Sequence, residues 1–158
     1  MANQTLKLWN RLAGLPGGKA LFSRLVCFKA PYFGSIRPRF ARLEPGIAEV
    51  RMKKRRAVQN HIGTVHAIAM CNMAELAGGT MTDVTVTPAQ RWIPKGMTVR
   101  YLKKAESGLR ATATPAADLP GPGEAGDFPV RIEVRDLDDE VVFDAEIMMW
   151  VSPKKRPQ

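Results

Sequence analysis

Hydrophobic positions change their period along the chain, and each change marks an element. In residues 3–13, Leu6, Trp9 and Leu12 recur at helical spacing, and in 18–29 Leu21, Phe22, Leu25, Val26 and Phe28 do the same. Pro16-Gly17-Gly18 parts these two predicted helices, and Pro31 ends the second. After Gly34 the pattern turns to alternation. Ile36 to Leu43 predicts a strand, Glu44-Pro45-Gly46 a turn, and Ala48, Val50 and Met52 between Glu49, Arg51 and Lys53 a second strand. Residues 64–77 break the alternation and are apolar almost all round. They predict a helix buried on most sides, with Thr64 as N-cap and Gly78-Gly79 as its stop. Residues 80–96 carry no decisive period. Alternation returns at Met97–Tyr101, Leu109–Ala113, Val130–Val134 and Val141–Val151. The Pro/Gly-rich stretch 115–126 reads as a loop, and Leu137-Asp138-Asp139-Glu140 as a turn. A hairpin, one buried helix and then several antiparallel strands predict an α+β architecture in which a sheet curls around a central helix.

A length of 158 residues suits one domain, 1–158, with one sizeable core. Within it, 1–33 reads as a helical extension, 34–151 as the core and 152–158 as a basic tail. No apolar run approaches the roughly 20 residues of a membrane span. Lys7, Arg11 and Lys19 interrupt any leader-like stretch. Cys27 and Cys71 have no metal-ligand spacing around them, so neither a metal site nor a disulfide framework is expected, and the chain reads as cytoplasmic. The net charge is +9, and runs of basic residues stand at Lys53-Lys54-Arg55-Arg56, Lys103-Lys104 and Lys154-Lys155-Arg156. Such a surface draws polyanions or simply keeps the protein solvated. Base stacking would need exposed aromatics beside the basic runs; Arg91-Trp92 and Tyr101–Lys104 are the places expected to offer them, and Tyr101 belongs to the apolar alternation, so nucleic acid is not the expected partner.

Glu75 is the lone carboxylate in the most apolar helix. Burial there would cost several kcal/mol or raise its pKa, and a carboxylate in an apolar cleft is a general base or nucleophile unless a structural partner satisfies it. Ahead of the helix lies Asn60-His61-Ile62-Gly63-Thr64-Val65-His66, which holds both histidines of the chain. Backbone N–H groups at a helix start favour a developing oxyanion; the plainer alternative is a capped turn with Gly63 at positive φ. From His66 to Glu75 is nine residues, about 900° of helix at roughly 100° each, so the two face opposite sides. They could share a site across a symmetric dimer, which predicts an obligate homodimer with two composite sites.

These residues resemble the hotdog-fold thioesterases, specifically the phenylacetate-pathway type of acyl-CoA thioesterase. That family carries an Asn, a Gly three on, a His six on and an acid nine beyond the His; here these are Asn60, Gly63, His66 and Glu75. The resemblance covers about residues 36–151. It implies a thioesterase that splits an acyl-CoA into free acid and coenzyme A, with no further cofactor, as a dimer or a dimer of dimers. Glu75 would activate water or attack the carbonyl, and Asn60 of the other subunit would position water or substrate. The Ala67 N–H would polarise the carbonyl with His66 supporting its loop, and Gly63 and His61 would flank the substrate. Two departures stand out. The family's two glycines after the His are Ala67 and Ile68 here, and the acid is Glu rather than the commoner Asp. The runner-up within the fold is a dehydratase or hydratase, which pairs a loop His with a helix acid about fourteen residues on, as His61 and Glu75 are spaced. A third reading is an acyl-binding protein without turnover.

Overall fold

The computed structural model describes residues 3–154. The end of the predicted basic tail, with Lys155 and Arg156, lies outside the described residues. Helix α1, Gln4–Leu12, begins where Asn3 Oδ1 accepts the N–H groups of Thr5 (2.7 Å) and Leu6 (3.4 Å). Helix α2, Gly18–Lys29, follows a turn at Gly17, whose φ of +73° suits glycine. Trp9 of α1 and Phe22 of α2 meet Phe40 edge to face, with ring centroids 5.1 to 6.4 Å apart, and this triad seats both helices on the sheet.

A 3-10 turn, Pro31–Ile36, delays the first strand, so β1 is Arg39–Glu44 rather than the predicted run from Ile36. Strand β2, Ile47–Met52, returns through Gly46 at φ +83°. The sheet is completed by β3 (Gln90–Tyr101), β4 (Leu109–Pro115), β5 (Gly126–Arg135) and β6 (Val141–Pro153). All neighbours pair antiparallel in the order β1-β2-β4-β5-β6-β3. The predicted alternation is seen directly: Val50, Ala111, Val130, Ile132, Val134, Phe143 and Ile147 point inward and are buried. Helix α2 lies along the outer edge of β1, where Ser23 Oγ accepts the Phe40 N–H (2.9 Å) and Lys19 Nζ donates to the Ala41 carbonyl (2.8 Å). It thereby satisfies edge groups that would otherwise be open. Strand β3, the other edge, carries Pro94 and a register shift between Pro94 and Gly96, as edge strands tolerate.

The central helix α3 is Ala67–Thr85, and it contacts all six strands. Both of its predicted ends move. Thr64 is buried in the preceding loop, and His66 is the N-cap. Gly78-Gly79 do not stop the helix but let it approach its neighbours. A Cβ on Gly78 would lie 3.1 Å from Ile147 Cδ1, and one on Gly79 would lie 3.0 Å from the Trp92 ring. Close packing on the sheet supplies the energy that glycine forfeits in helix propensity. Among the described residues no helix is long and apolar enough to cross a membrane.

Candidate active site

The loop before α3 is a closed hydrogen-bonded turn. Asn60 Oδ1 accepts the N–H groups of Thr64 (3.1 Å) and Ile62 (3.2 Å), and Asn60 Nδ2 donates to Thr64 Oγ1 (2.8 Å). The Gly63 N–H donates to the Asn60 carbonyl (3.1 Å), and Gly63 sits at φ +80°, where a side chain would be strained. Antiparallel pairing of Gln59 with Val65 and the bond from His66 N–H to the Val58 carbonyl (2.8 Å) fasten the loop to the body. His61 is exposed and has no hydrogen bond among the described residues.

His66 Nδ1 accepts the Ile68 N–H at 3.1 Å. This bond requires the ring proton on Nε2. With Ile68 served, the Ala67 N–H has no acceptor among the described residues and stands at the positive end of a 19-residue helix. That arrangement can polarise a carbonyl oxygen. His66 also borders a cavity of about 170 Å³ together with Asn72. Asn72, which the sequence did not single out, is buried and donates to Ser35 Oγ (3.0 Å).

Glu75 is exposed rather than buried. It lies mid-helix, not near the C-terminal end, because α3 continues to Thr85. One sector of the otherwise buried α3, including Ile68 and Glu75, is not covered by the sheet. Glu75 lines a cavity of about 390 Å³ whose walls are mostly apolar, among them Val26, Phe33, Leu76, Trp92 and Met149. Asp83, two turns along α3, lines the same cavity, and Gly79 between them carries the Trp92 ring. The two carboxylates differ in their partners. Asp83 accepts from Thr5 Oγ1 (2.7 Å) and Trp92 Nε1 (3.4 Å), which makes it an anchor for α1 and β3. Glu75 has no hydrogen bond or ion pair among the described residues, so its oxygens are free to take a proton.

Asp83 is hidden in the sequence because a glycine pair predicts a helix end; the i, i+4, i+8 spacing of Glu75, Gly79 and Asp83 is the signal it offers. Val26 and Lys29 of α2, and Ala30 just after it, reach this cavity, so α2 both covers the β1 edge and walls the Glu75 cavity. Glu75 and His66 border different cavities, as their helical separation predicts. Between them Cys71 Sγ and Tyr101 Oη lie 3.3 Å apart. That hydrogen bond, with a smaller contribution from burial, pushes the Tyr101 phenol up to about 12. A larger cavity of about 790 Å³, lined by Arg39, Arg51, Lys53, Lys54 and Arg110, does not include Glu75 or His66.

A family model described as a domain of unknown function, DUF4442, matches residues 18–151. The chain belongs to the DUF4442 family. No curated protein sequence matches this DUF4442 chain. Solved structures do. A structural-genomics protein, APC5556, is 45% identical with a TM-score of 0.81, covering 95% of this chain and 98% of its own. PA5026 of Pseudomonas aeruginosa, a protein of unknown function described as a "probable thioesterase", is 25% identical with a TM-score of 0.73, covering 89% and 97%. The thioesterase HI1161 of Haemophilus influenzae is 14% identical with a TM-score of 0.69, covering 77% and 82%, a likeness of fold. The DUF4442 domain described here thus has the hotdog fold of the thioesterase-like superfamily, with its antiparallel sheet, long central helix and N-terminal helices.

Proposed function

We propose that this chain hydrolyses an acyl-CoA thioester to the free acid and coenzyme A. The observation that carries the reading is Glu75: the carboxylate of α3 that no donor engages, opening on a mostly apolar cavity in a hotdog fold. Glu75 takes a proton from water as the water oxygen attacks the thioester carbonyl. The oxyanion that forms is held by the Ala67 N–H, which His66 keeps free by turning the Ile68 N–H onto its own ring. The C–S bond then breaks, and the coenzyme A thiolate leaves and is protonated. One amide hydrogen of Asn60 is spent on Thr64, and the other orients the water or the substrate. Gly63 and His61 flank the approach. Water is the only second substrate.

Because Glu75 and His66 border different cavities, one copy supplies the base and a second the oxyanion donor. This reading makes the protein a homodimer with two composite sites. Ile93, Met97 and Tyr101 on the outermost strand β3, and Ile68 on α3, are exposed apolar side chains that such pairing would cover.

Free thiol released from a panel of short, long and aromatic acyl-CoAs tests the reading. Glu75→Gln should lower turnover by about a hundredfold or more without moving the melting temperature, since the exposed carboxylate makes no hydrogen bond or ion pair among the described residues. Mixing Glu75→Gln with Asn60→Ala protomers should restore part of the activity if sites are composite. Wild-type inactivity across the panel, or full activity in Glu75→Gln, would remove hydrolysis. No thiol release, together with reversible hydration of an enoyl thioester that His61→Ala abolishes, would point to the dehydratase pairing instead.

A further inference from the structure

Eight of the chain's 24 lysines and arginines lie in residues 1–43, and none of its 15 acids does; Glu44 is the first. The remaining residues hold 16 cations against those 15 acids, so almost all of the net charge of +9 resides in the segment of α1, α2 and the start of β1. This asymmetry coincides with an apolar surface. On α2, Leu21, Leu25 and Phe28 fall within an arc of about 60° at roughly 100° per residue, and all three are exposed, Phe28 to 88%. Arg24 flanks the strip on one side and Lys29 on the other. Tyr32 continues it at 69% exposure. An outward apolar strip bordered by cations is the pattern of a helix that lies in a bilayer interface.

A cavity of about 380 Å³ adjoins the strip, between α2 and the turn into β1. Arg24, Arg37 and Arg39 line it, no acidic residue does, and none of the three forms a salt bridge or side-chain hydrogen bond among the described residues. Arg42, Arg51, Arg100 and Arg110, by contrast, each pair with an acid. Three guanidinium groups without counter-ions around one hollow are suited to phosphate oxygens.

We propose that α2 and this hollow form a docking face for an anionic phospholipid membrane, with Leu21, Leu25 and Phe28 entering the interface and Arg24, Arg37 and Arg39 holding lipid phosphates. The charge asymmetry favours a negative surface, and the apolar strip favours a bilayer over a nucleic acid, whose bases could stack on Phe28 but would leave Leu21 and Leu25 uncovered. The proposal stands apart from the thioesterase reading, since Leu21, Leu25, Phe28, Arg24, Arg37 and Arg39 line neither the Glu75 nor the His66 cavity, which only Lys29 and Tyr32 at the strip's margin reach.

The test is sedimentation of the full chain with vesicles of equal parts phosphatidylcholine and phosphatidylglycerol, beside vesicles of phosphatidylcholine alone. Binding is expected only to the anionic vesicles and should weaken with salt. Replacing Arg24, Arg37 and Arg39 together by alanine should reduce it on the order of a hundredfold, about fivefold per cation. Phe28→Ser with Leu25→Ser should abolish it while melting temperature and soluble thiol release stay at wild type. Equal binding to neutral vesicles, or none to either, overturns the proposal. It is likewise overturned if the serine variant instead dissolves a self-associated form, which would make a second copy the occupant. If the alanine variant keeps vesicle binding but loses affinity for coenzyme A, the arginines serve the coenzyme. If duplex DNA binds and the serine variant leaves that binding intact, the partner is nucleic acid.

Discussion

Trp9 and Phe28 are both large aromatics of the first two helices, yet truncating each to alanine should have unequal consequences. Trp9 is 6% exposed, with its ring 5.1 Å from Phe22 and 6.4 Å from Phe40, both themselves buried. Removing it opens a void bounded by aromatic rings from α2 and β1 that are fixed by their own contacts and collapse only in part. Buried Trp→Ala changes of this kind cost about 3–5 kcal/mol. Phe28, by contrast, faces solvent, and Phe28→Ala should stay within about 0.5 kcal/mol of wild type. Against a total stability of about 5–15 kcal/mol, Trp9→Ala removes a large share, and for a chain of this size it lowers the melting temperature by roughly 6–20 °C. Urea unfolding followed by far-UV circular dichroism is the assay, because loss of a tryptophan does not alter that signal directly. The expected result is a lower midpoint at an unchanged slope for Trp9→Ala and no shift for Phe28→Ala. A Trp9→Ala loss below about 1 kcal/mol, or equal losses for the two variants, would refute the docking of α1 through the aromatic triad.

Other consequences are open to measurement. His66→Ala removes the acceptor for the Ile68 N–H and should cost about 1 kcal/mol as an N-cap loss, while lowering turnover more than substrate affinity; a pure affinity loss would deny it the supporting role. Cys71→Ala should bring the Tyr101 ionisation down from about 12, read as an earlier phenolate absorbance step in an alkaline titration; an unmoved step would show that Cys71 is not the cause. Arg100 holds the Asp144 carboxyl below its ordinary range, chiefly through their hydrogen bond. A depressed folded-state pKa gives stability above the unfolded value that is lost as pH falls through the folded one. Arg100→Ala should therefore flatten the acid side of the stability curve below about pH 4, by a small amount because Arg100 is solvent-exposed. An acid limb identical to wild type would mean that the pair contributes nothing.

The strands were legible because each inward strand keeps one wet face, and alternation at Val130–Val134 or Phe143–Val151 survives any tertiary detail. The strained turn was legible too, since Gly63 in a polar loop before an apolar run has few other uses. Helix ends were not. A glycine pair reads as a stop unless it is known that Ile147 and Trp92 press on it, and that knowledge is tertiary. The same blindness hid Asp83. Apolarity all round α3 suggested a buried Glu75, but hydropathy does not say which sector of a helix faces a cavity rather than the sheet. Strand β3 alternates as the others do, yet Met97 and Tyr101 are exposed because their sheet ends there. The spacing of Asn60, Gly63, His66 and Glu75 was plain in the sequence; which of their atoms stay free for substrate depended on hydrogen bonds that spacing does not encode.

The two ends of the sheet are finished differently, and this bears on how many molecules can join. At β1 the Phe40 N–H and the Ala41 carbonyl already answer to Ser23 and Lys19, and α2 lies where a further strand would have to come. At β3 no neighbour follows. A ribbon blocked at one terminus cannot be extended from both. Two copies meeting strand to strand at β3 would consume each other's growing point, and the joined sheet would end in a stopper at either side. Helix α2 would then act as a chain terminator: if copies pair at β3, a sheet that could otherwise extend without end would take one partner and close.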